Sequence, residues 1–390
     1  MLSLPVELRI LIYALYLSEL QHVPGNQQPK NTHFRLLHVC RQISYEAGQL
    51  ANFRSYVSLI HEDQIAAFNA NISTEAASRI LHADVANDSR LVHASGHSVP
   101  VSELYLVLSK LVSLRRLRVF ERNRTRPMKD FILGARFTVE FEKAMFPSGR
   151  VPQLDSYELY LSPLKSSARI FQVVSCNSVQ RLRLSGDCGL PQGTKLPRLT
   201  NLAINGVTGH YLEQHMEEYF AQSQLKEFQY TQGAKAGAHF ELRDRHLNSL
   251  VFGSASGLHK LVLLGCSRLS SLTLTSCLRH LDQLRYLALS FVSVHELDSD
   301  FVGAFPSSLI VLKVSISNAW YTNPLLQEEH KLCDSVEDLI IKRRPPLKFV
   351  FVNFRDEVMA MSGRGKRWTR IAEERKFALQ LGAWEEDEIF

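Results

Sequence analysis

The feature that most constrains this 390-residue chain is a recurring spacing of apolar residues. An apolar residue is followed three positions later by leucine, or once by phenylalanine. Two positions after that comes an aliphatic residue, or once tyrosine. The copies begin at Leu114, Val179, Leu199, Leu225, Leu258, Leu284, Leu309 and Val336. From Val179 onward, successive copies lie roughly 20 to 33 residues apart, so the chain repeats one small structural unit.

A unit of this size cannot bury its apolar face alone, so neighbouring copies must stack. The period is that of leucine-rich repeats, and we predict an α/β leucine-rich-repeat solenoid with parallel strands on its concave face and helices on its convex face. Leu212, Met216 and Phe220 follow one copy at helical spacing and predict such a helix. The number and register of repeats stay open, especially over 120–178 and 247–283, where copies at intervals of 11 residues cannot all be separate strands.

The composition, with 45% hydrophobic and 22% charged residues, is that of a folded soluble domain protein. A net charge of +6 is too small to argue for nucleic acid, and no apolar run reaches the roughly 18 residues that cross a membrane. None of the six cysteines forms a CxxC pair, which favours a reducing compartment, cytoplasmic or nuclear. Cys266 and Cys277 each follow a repeat copy and are interpreted as structural.

Sequence signatures of catalysis are missing. The stretch 253–257 has alanine where a nucleophile elbow needs serine, the stretch 363–367 lacks the remaining residues of a P-loop, and no HExxH occurs. We therefore expect a protein that is not an enzyme and that uses no cofactor and no metal. Binding is the predicted activity.

A helix is predicted over residues 4–20, because Pro5 suits a first helical position and Glu7 suits the positive helix start. Apolar residues follow at helical spacing as one stripe: Leu8, Leu11, Ile12 and Leu15. A second helix is predicted from about Phe34 to Phe53. From spacing alone, this pair is either a cap that shields the end of the repeats or a docking module.

Two runs in this region carry a family resemblance. The run from Leu4 to Tyr13 opens with Leu-Pro-x-Glu, and the run from Leu36 to Ala47 contains Val-Cys-Arg. Together they resemble the F-box and F-box-like modules common in fungal proteins, over roughly the first 50 residues. The resemblance implies binding of the Skp1 adaptor of a cullin–RING ubiquitin ligase. By position, the implied adaptor contacts are Leu4, Pro5, Leu8, Ile12, Leu36, Leu37, Val39, Cys40 and Ile43.

Four segments follow from these patterns. We predict an F-box-like helical module over 1–53, a linking region with a helix over 54–113, irregular repeats over 114–346, and a C-terminal cap with an acidic tail over 347–390. Within the last segment, a helix is predicted from Trp368 to Leu381. The basic run at 364–367 is an ordinary surface feature or a nuclear import signal.

A basic surface is predicted on the strands. Residues that flank the buried leucines point to the other face of the sheet, because side chains alternate along a strand. On that face we predict a target-binding set of Arg116, Arg118, Arg181, Arg183, Lys260, Lys313 and Lys342, opposed only by Glu227 and Asp338. Such a face suits an acidic or phosphorylated peptide, with a merely solvated charged surface as the alternative.

The expected function is substrate recognition in an SCF-type E3 ubiquitin ligase. The helical module would bind the Skp1-like adaptor, and the repeats would bind a target protein. The alternative is a leucine-rich-repeat interaction scaffold that is not coupled to ubiquitination. In neither case is a membrane or nucleic acid an expected partner.

Overall fold

The structure, a computed structural model, divides the chain into two compact units, Met1–Gln192 and Gly193–Glu386. It describes residues 3–21, 31–87, 103–121, 138–139, 141–146, 152–161, 167–208, 211–233, 239–255, 257–291, 299–316 and 326–386. The predicted acidic residues at 387 and 388 lie outside these ranges.

The first unit begins with helices and continues as alternating strands and helices. Its helices are Val6–Gln21 (α1), Arg41–Gln49 (α2), Ala51–Arg54 (α3), Glu62–Asn71 (α4), Thr74–Ser78 (α5), Leu104–Lys110 (α6) and Phe141–Met145 (α7), with a 3-10 helix at Thr32–His38. Its strands are Tyr56–Leu59 (β1), His82–Asn87 (β2), Arg116–Glu121 (β3), Thr138–Val139 (β4), Ser156–Tyr160 (β5), Ser167–Arg169 (β6) and Arg181–Gly189 (β7).

The strands of this unit pair in parallel in the order β1-β2-β3-β5-β7, and the short strands β4 and β6 extend from β7. The free edge of β1 is covered by one side chain of the helical module. The Asn31 amide donates to the Ser58 carbonyl at 2.6 Å, and its oxygen accepts from the Ser58 amide at 2.7 Å. Asn31 thus satisfies edge groups that a neighbouring strand would otherwise pair.

The second unit repeats strand and helix with greater regularity. Its strands are Asn201–Val207 (β8), Glu227–Thr231 (β9), Lys260–Cys266 (β10), Tyr286–Phe291 (β11), Val311–Ile316 (β12), Phe349–Asn353 (β13) and Ala378–Leu381 (β14). Its helices are Tyr211–Phe220 (α8), Asp244–Gly253 (α9), Ser271–His280 (α10), Leu326–Val336 (α11), Asp356–Ala360 (α12) and Arg364–Arg375 (α13), with 3-10 helices at Ser299–Ala304 and Met361–Gly363 and a π-helix at Glu337–Ile341.

These seven strands pair in parallel in sequence order. One backbone contact recurs where the strands begin. The Lys226 carbonyl accepts from the amides of His259 at 2.7 Å and Lys260 at 3.1 Å, and the His259 carbonyl accepts from those of Arg285 at 2.9 Å and Tyr286 at 3.0 Å. A shared carbonyl at the same register keeps successive repeats aligned.

The core of each unit contains the leucine positions of the repeat. In register, Leu261 lies beside Phe228 on one side and Leu287 on the other, and all three are at most 2% exposed. The helices contribute their own buried sides, such as Leu247 and Leu274. The predicted class, an α/β protein of parallel strands connected by helices, is confirmed within each unit.

Three sequence predictions of local structure are wrong. The copy at Val336 lies in α11 and the π-helix, because apolar residues three apart suit a helix as well as a strand; the strand of that repeat is β13. The predicted helix from Trp368 ends at Arg375 and is followed by strand β14. The predicted helix from Phe34 is broken at Cys40 and Leu50, whose backbones are extended.

The structure defines the register of the closely spaced repeat copies over residues 247–283. The copy that begins at Leu247 lies in α9, the copy that begins at Leu269 runs into α10, and only the middle copy, from Leu258, forms a strand. The expectation that these copies are not all separate strands is therefore confirmed. Strands β2, β4 and β6 were not predicted from the sequence.

Candidate docking surfaces

Helix α1 is apolar on two opposite sides. Tyr13 and Leu17 are buried in the core of the helical module. On the other side, the stripe stays at the surface, with exposed fractions of 48% for Leu8, 55% for Leu11, 39% for Ile12 and 58% for Leu15. Contiguous apolar surface of this kind marks interaction sites.

The buried side of α1 is fixed to α2 by a small polar cluster around Glu46. Arg9 Nε donates to its carboxylate at 2.9 Å, and the Tyr13 hydroxyl donates to it at 3.1 Å. Gln42 adds a hydrogen bond at 3.0 Å. The hydrogen bonds from Arg9 and Gln42 lower the pKa of Glu46 to about 2. The cluster orients α1 so that its stripe faces outward.

The nine predicted adaptor contacts divide by exposure. Pro5, Leu8, Ile12 and Val39 are exposed, Leu4, Leu36, Leu37 and Cys40 are half-buried, and Ile43 is buried. Ile43 packs in the module's core and is unavailable to a partner while the module is folded, so its prediction as a contact is corrected. Leu11 and Leu15 also belong to the exposed stripe, although they are not among the nine predicted contacts.

Of the four arginines predicted as an open basic surface in the first unit, Arg116 and Arg118 form ion pairs within the sheet and Arg183 is buried. In register, Asp84, Arg118, Glu158 and Arg183 lie side by side on β2, β3, β5 and β7, and none is more than 4% exposed. Arg118 Nε donates to Asp84 at 2.6 Å, and Arg116 Nε donates to Glu158 at 2.8 Å. We use the name charge ladder for the five residues Asp84, Arg116, Arg118, Glu158 and Arg183.

Neighbouring side chains complete the charge ladder. The Tyr56 hydroxyl donates to Asp84 at 2.6 Å, and the Tyr160 hydroxyl donates to Glu158 at 3.0 Å. The Arg183 guanidinium lies 4.0 Å from the centre of the Tyr160 ring. Burial acts to raise the pKa of Glu158, but the charge of Arg116 beside it keeps that pKa below its ordinary value.

The sequence prediction therefore failed here for an identifiable reason. Asp84 and Glu158 were missed as opposing charges because β2 was not recognised and β5 was irregular. Arg118 and Arg183 are buried and structural, whereas Arg116 and Arg181 are half-buried, and Arg116 is largely occupied by Glu158. Alternation along β2 is the signal that would have placed Asp84 beside Arg118.

In the second unit, Lys260 and Lys313 lie on the predicted face, and they contact the chain's own Glu386. The carboxylate of Glu386 is 3.2 Å from Lys260 Nζ and 2.9 Å from Lys313 Nζ. The Tyr286 hydroxyl, on the strand between them, also donates to it. With only 3% of its side chain exposed, Glu386 is enclosed by these donors.

Aromatic rings surround the same lysine. Lys313 Nζ lies 5.7 Å from the ring centre of Tyr286, 5.2 Å from that of Phe351 and 5.4 Å from that of Trp384. These distances allow cation–π attraction. We call the surface formed by Lys260, Tyr286, Lys313 and Phe351 the carboxylate cage.

Lys342 and Asp338 do not belong to this face. Both lie at the π-helix, where Lys342 Nζ is 2.7 Å from Asp338 and 3.3 Å from Glu337. Their assignment to a strand is wrong, because that copy of the repeat is helical. Glu227 lies beside Lys260 in the strand register.

The cysteines interpreted as structural are buried: Cys266 ends β10, and Cys277 lies within α10. Burial raises the pKa of Cys277 to about 12. Among the described residues, no group of three or more histidine, cysteine, aspartate or glutamate side chains is placed to hold a metal ion. No helix in that part of the chain has both the length and the apolar content for crossing a bilayer.

No protein-family model matches this chain, and no curated protein matches it either. The two surfaces described above, the exposed stripe of α1 and the carboxylate cage, therefore carry the functional argument.

Proposed function

We propose that this chain is a recognition subunit of an SCF-type ubiquitin ligase. In this proposal, residues 1–53 are an F-box-like module that binds a Skp1-like adaptor, and the strand–helix units are leucine-rich repeats that bind a target protein. The chain itself makes no covalent bond. It raises the effective concentration of target lysines near the conjugating enzyme by holding both partners.

The single observation that carries the proposal is the exposed stripe of α1. A helix that only capped the repeats would bury its apolar residues against them. Here Leu11 and Leu15 are each more than half exposed, while Tyr13 and Leu17 already supply the module's core. The stripe thus contributes little to folding, and its apolar area supports a role in binding.

Val39 is a second exposed apolar residue of the module, outside α1. It follows the 3-10 helix and is 62% exposed, within the Val-Cys-Arg run on which the F-box resemblance rests. Residues that cost about 2 kcal/mol or more on truncation cluster near the desolvated centre of an interface, and we place the stripe of α1 at that centre.

Adaptor capture tests the proposal directly. The full chain is expected to bind purified Skp1, and the double variant Leu8→Ser/Ile12→Ser is expected to lose at least about 30-fold in affinity, measured by calorimetry. The matched control is Leu272→Ser, which changes a leucine that is 80% exposed on α10 of the second unit. This control should bind Skp1 as the unmodified chain does.

Circular dichroism of the three proteins separates lost binding from lost folding. If the full chain fails to bind Skp1, or if the folded double variant binds it unchanged, the ligase proposal is wrong. The chain would then be an interaction scaffold that is not coupled to ubiquitination.

A further inference from the structure

The carboxylate cage is occupied by the chain's own segment Trp384–Glu386. This segment leaves β14 through Gly382, whose φ of +103° is a conformation that favours glycine. The Gly382 amide donates to the Val352 carbonyl of β13 at 2.9 Å. From there the chain turns back across the strands instead of continuing along them.

The returning segment is held at each successive strand. Trp384 Nε1 donates to the Val314 carbonyl of β12 at 3.2 Å, and Lys313 Nζ donates to the Glu385 carbonyl at 3.0 Å. Glu386 then reaches Tyr286 on β11 and Lys260 on β10. Neighbouring strands lie about 4.8 Å apart, so an extended run of about four residues covers the distance from β13 to β11.

Two features of this contact resemble ligand recognition more than core packing. First, the contacting segment is short: the described contacts are made by the indole of Trp384, the backbone carbonyl of Glu385 and the carboxylate of Glu386. Second, the cage side is built for charge, with two ammonium groups and a hydroxyl converging on a single carboxylate that is 3% exposed. Charge-assisted hydrogen bonds of this kind are about twice as strong as neutral ones.

We propose that the carboxylate cage is the target-binding site and that Trp384–Glu386 occupies it as an internal competitor. The target would be a protein segment with the same pattern, an aromatic residue followed two positions later by glutamate or aspartate. The aromatic side chain would pack on Lys313 and Phe351, and the carboxylate would bind Lys260, Lys313 and Tyr286. A target must displace the internal segment, whose short tether gives it an effective concentration in the millimolar range.

The role of the bound segment as part of a ubiquitin-ligase target rests on the proposed function. Its binding to the carboxylate cage, however, can be tested without Skp1. The probe is a fluorescent peptide with the sequence of residues 381–386 and a C-terminal amide, so that only side-chain carboxylates are present. It is titrated into the full chain and into a release variant, Trp384→Ala/Glu386→Gln, and fluorescence polarisation is measured. Thermal unfolding confirms that both proteins are folded.

The release variant is expected to bind the peptide at least about tenfold more tightly than the unmodified chain, since the internal competitor is weakened. Adding Lys313→Met to the release variant should abolish that gain, whereas the matched change Lys348→Met, at an exposed lysine just before β13, should leave it intact. A peptide with glutamine in place of Glu386 should bind at least tenfold more weakly.

Equal peptide binding by the two folded proteins, or none by the release variant, would overturn the inference. So would tighter binding of a peptide that carries phosphoserine at the Glu386 position, because the site would then be a phosphate site. Because Skp1 capture depends on α1 and peptide binding on the carboxylate cage, failure of either proposal is distinguishable from failure of the other.

Discussion

Replacing one buried carboxylate of the charge ladder by an amide is expected to lower the stability of the first unit strongly. In Asp84→Asn, one oxygen is replaced by an amide group of the same size, and the Tyr56 hydroxyl keeps an acceptor. The Arg118 guanidinium, however, loses the carboxylate that its Nε contacts at 2.6 Å while staying 3% exposed. The variant therefore leaves a buried positive charge without its closest counter-charge.

The magnitude follows from the burial of both partners. Two charges about 4 Å apart attract by about 4 kcal/mol at an effective dielectric constant near 20. Measured losses on removing one partner of a buried pair are about 3–5 kcal/mol, because the remaining charge stays desolvated. Since folded domains are stable by only about 5–15 kcal/mol, Asp84→Asn should remove a large fraction of the first unit's stability.

The assay must report on the first unit. The three tryptophans of the chain all lie beyond residue 192, so tryptophan fluorescence does not observe it. Amide hydrogen exchange of β2 and β3 at increasing urea concentration gives the local free energy of opening. The expected loss is about 3–5 kcal/mol for Asp84→Asn.

Two further variants make this result interpretable. Glu75→Gln removes the same charge from an ion pair with Arg79 that is exposed on both sides, and it should cost no more than about 1 kcal/mol. The double variant Asp84→Asn/Arg118→Met removes both buried charges and should be more stable than Asp84→Asn alone. If Asp84→Asn costs no more than Glu75→Gln, the charge ladder does not stabilise the sheet and our account of the buried arginines is refuted.

Three further predictions concern other parts of the chain. Arg183→Glu should unfold the first unit at lower urea concentration by placing a second carboxylate beside Glu158, whereas Arg181→Glu, at a half-buried position, should shift that midpoint little. Because the pKa of Glu46 is lowered to about 2 in the folded module, its contribution to stability is present above about pH 4.5 and is lost as pH falls toward 2. The protection factors of the α1 amides, which compare each exchange rate with the intrinsic rate at the same pH, should therefore fall across this range, and Glu46→Gln should remove that dependence. In the native protein, a thiol reagent read by mass spectrometry should label half-buried Cys40 well before Cys277, whose pKa is raised to about 12; equal labelling rates would contradict the burial of Cys277.

Much of the fold was predictable because it depends on local periodicity. Seven of the eight copies of the leucine pattern, including those at Leu114 and Leu284, mark the start of a real parallel strand. Burial of alternate side chains along a strand is set by residues that are close in sequence. The copy at Val336 failed because a spacing of three residues also fits one face of a helix.

The candidate sites were less predictable because they depend on pairing between distant residues. Arg118 and Asp84 are 34 residues apart in sequence, and Arg116 and Glu158 are 42 apart. Sequence alone identified the arginines but could not reveal that each faces a carboxylate across the sheet. The stripe of α1 was recognised from its spacing, yet spacing could not tell whether it would be covered.

The sequence by itself determined most of the repeat strands and their buried leucines, since side-chain alternation and helical spacing are properties of the chain's own neighbours. Tertiary structure decided which charges stay available to a partner. Glu386 meets Tyr286 across 100 residues of sequence, and only the parallel stacking of β10, β11 and β12 brings two lysines to the same carboxylate. Ion pairing depends on distance in space, which the fold sets and the order of residues does not.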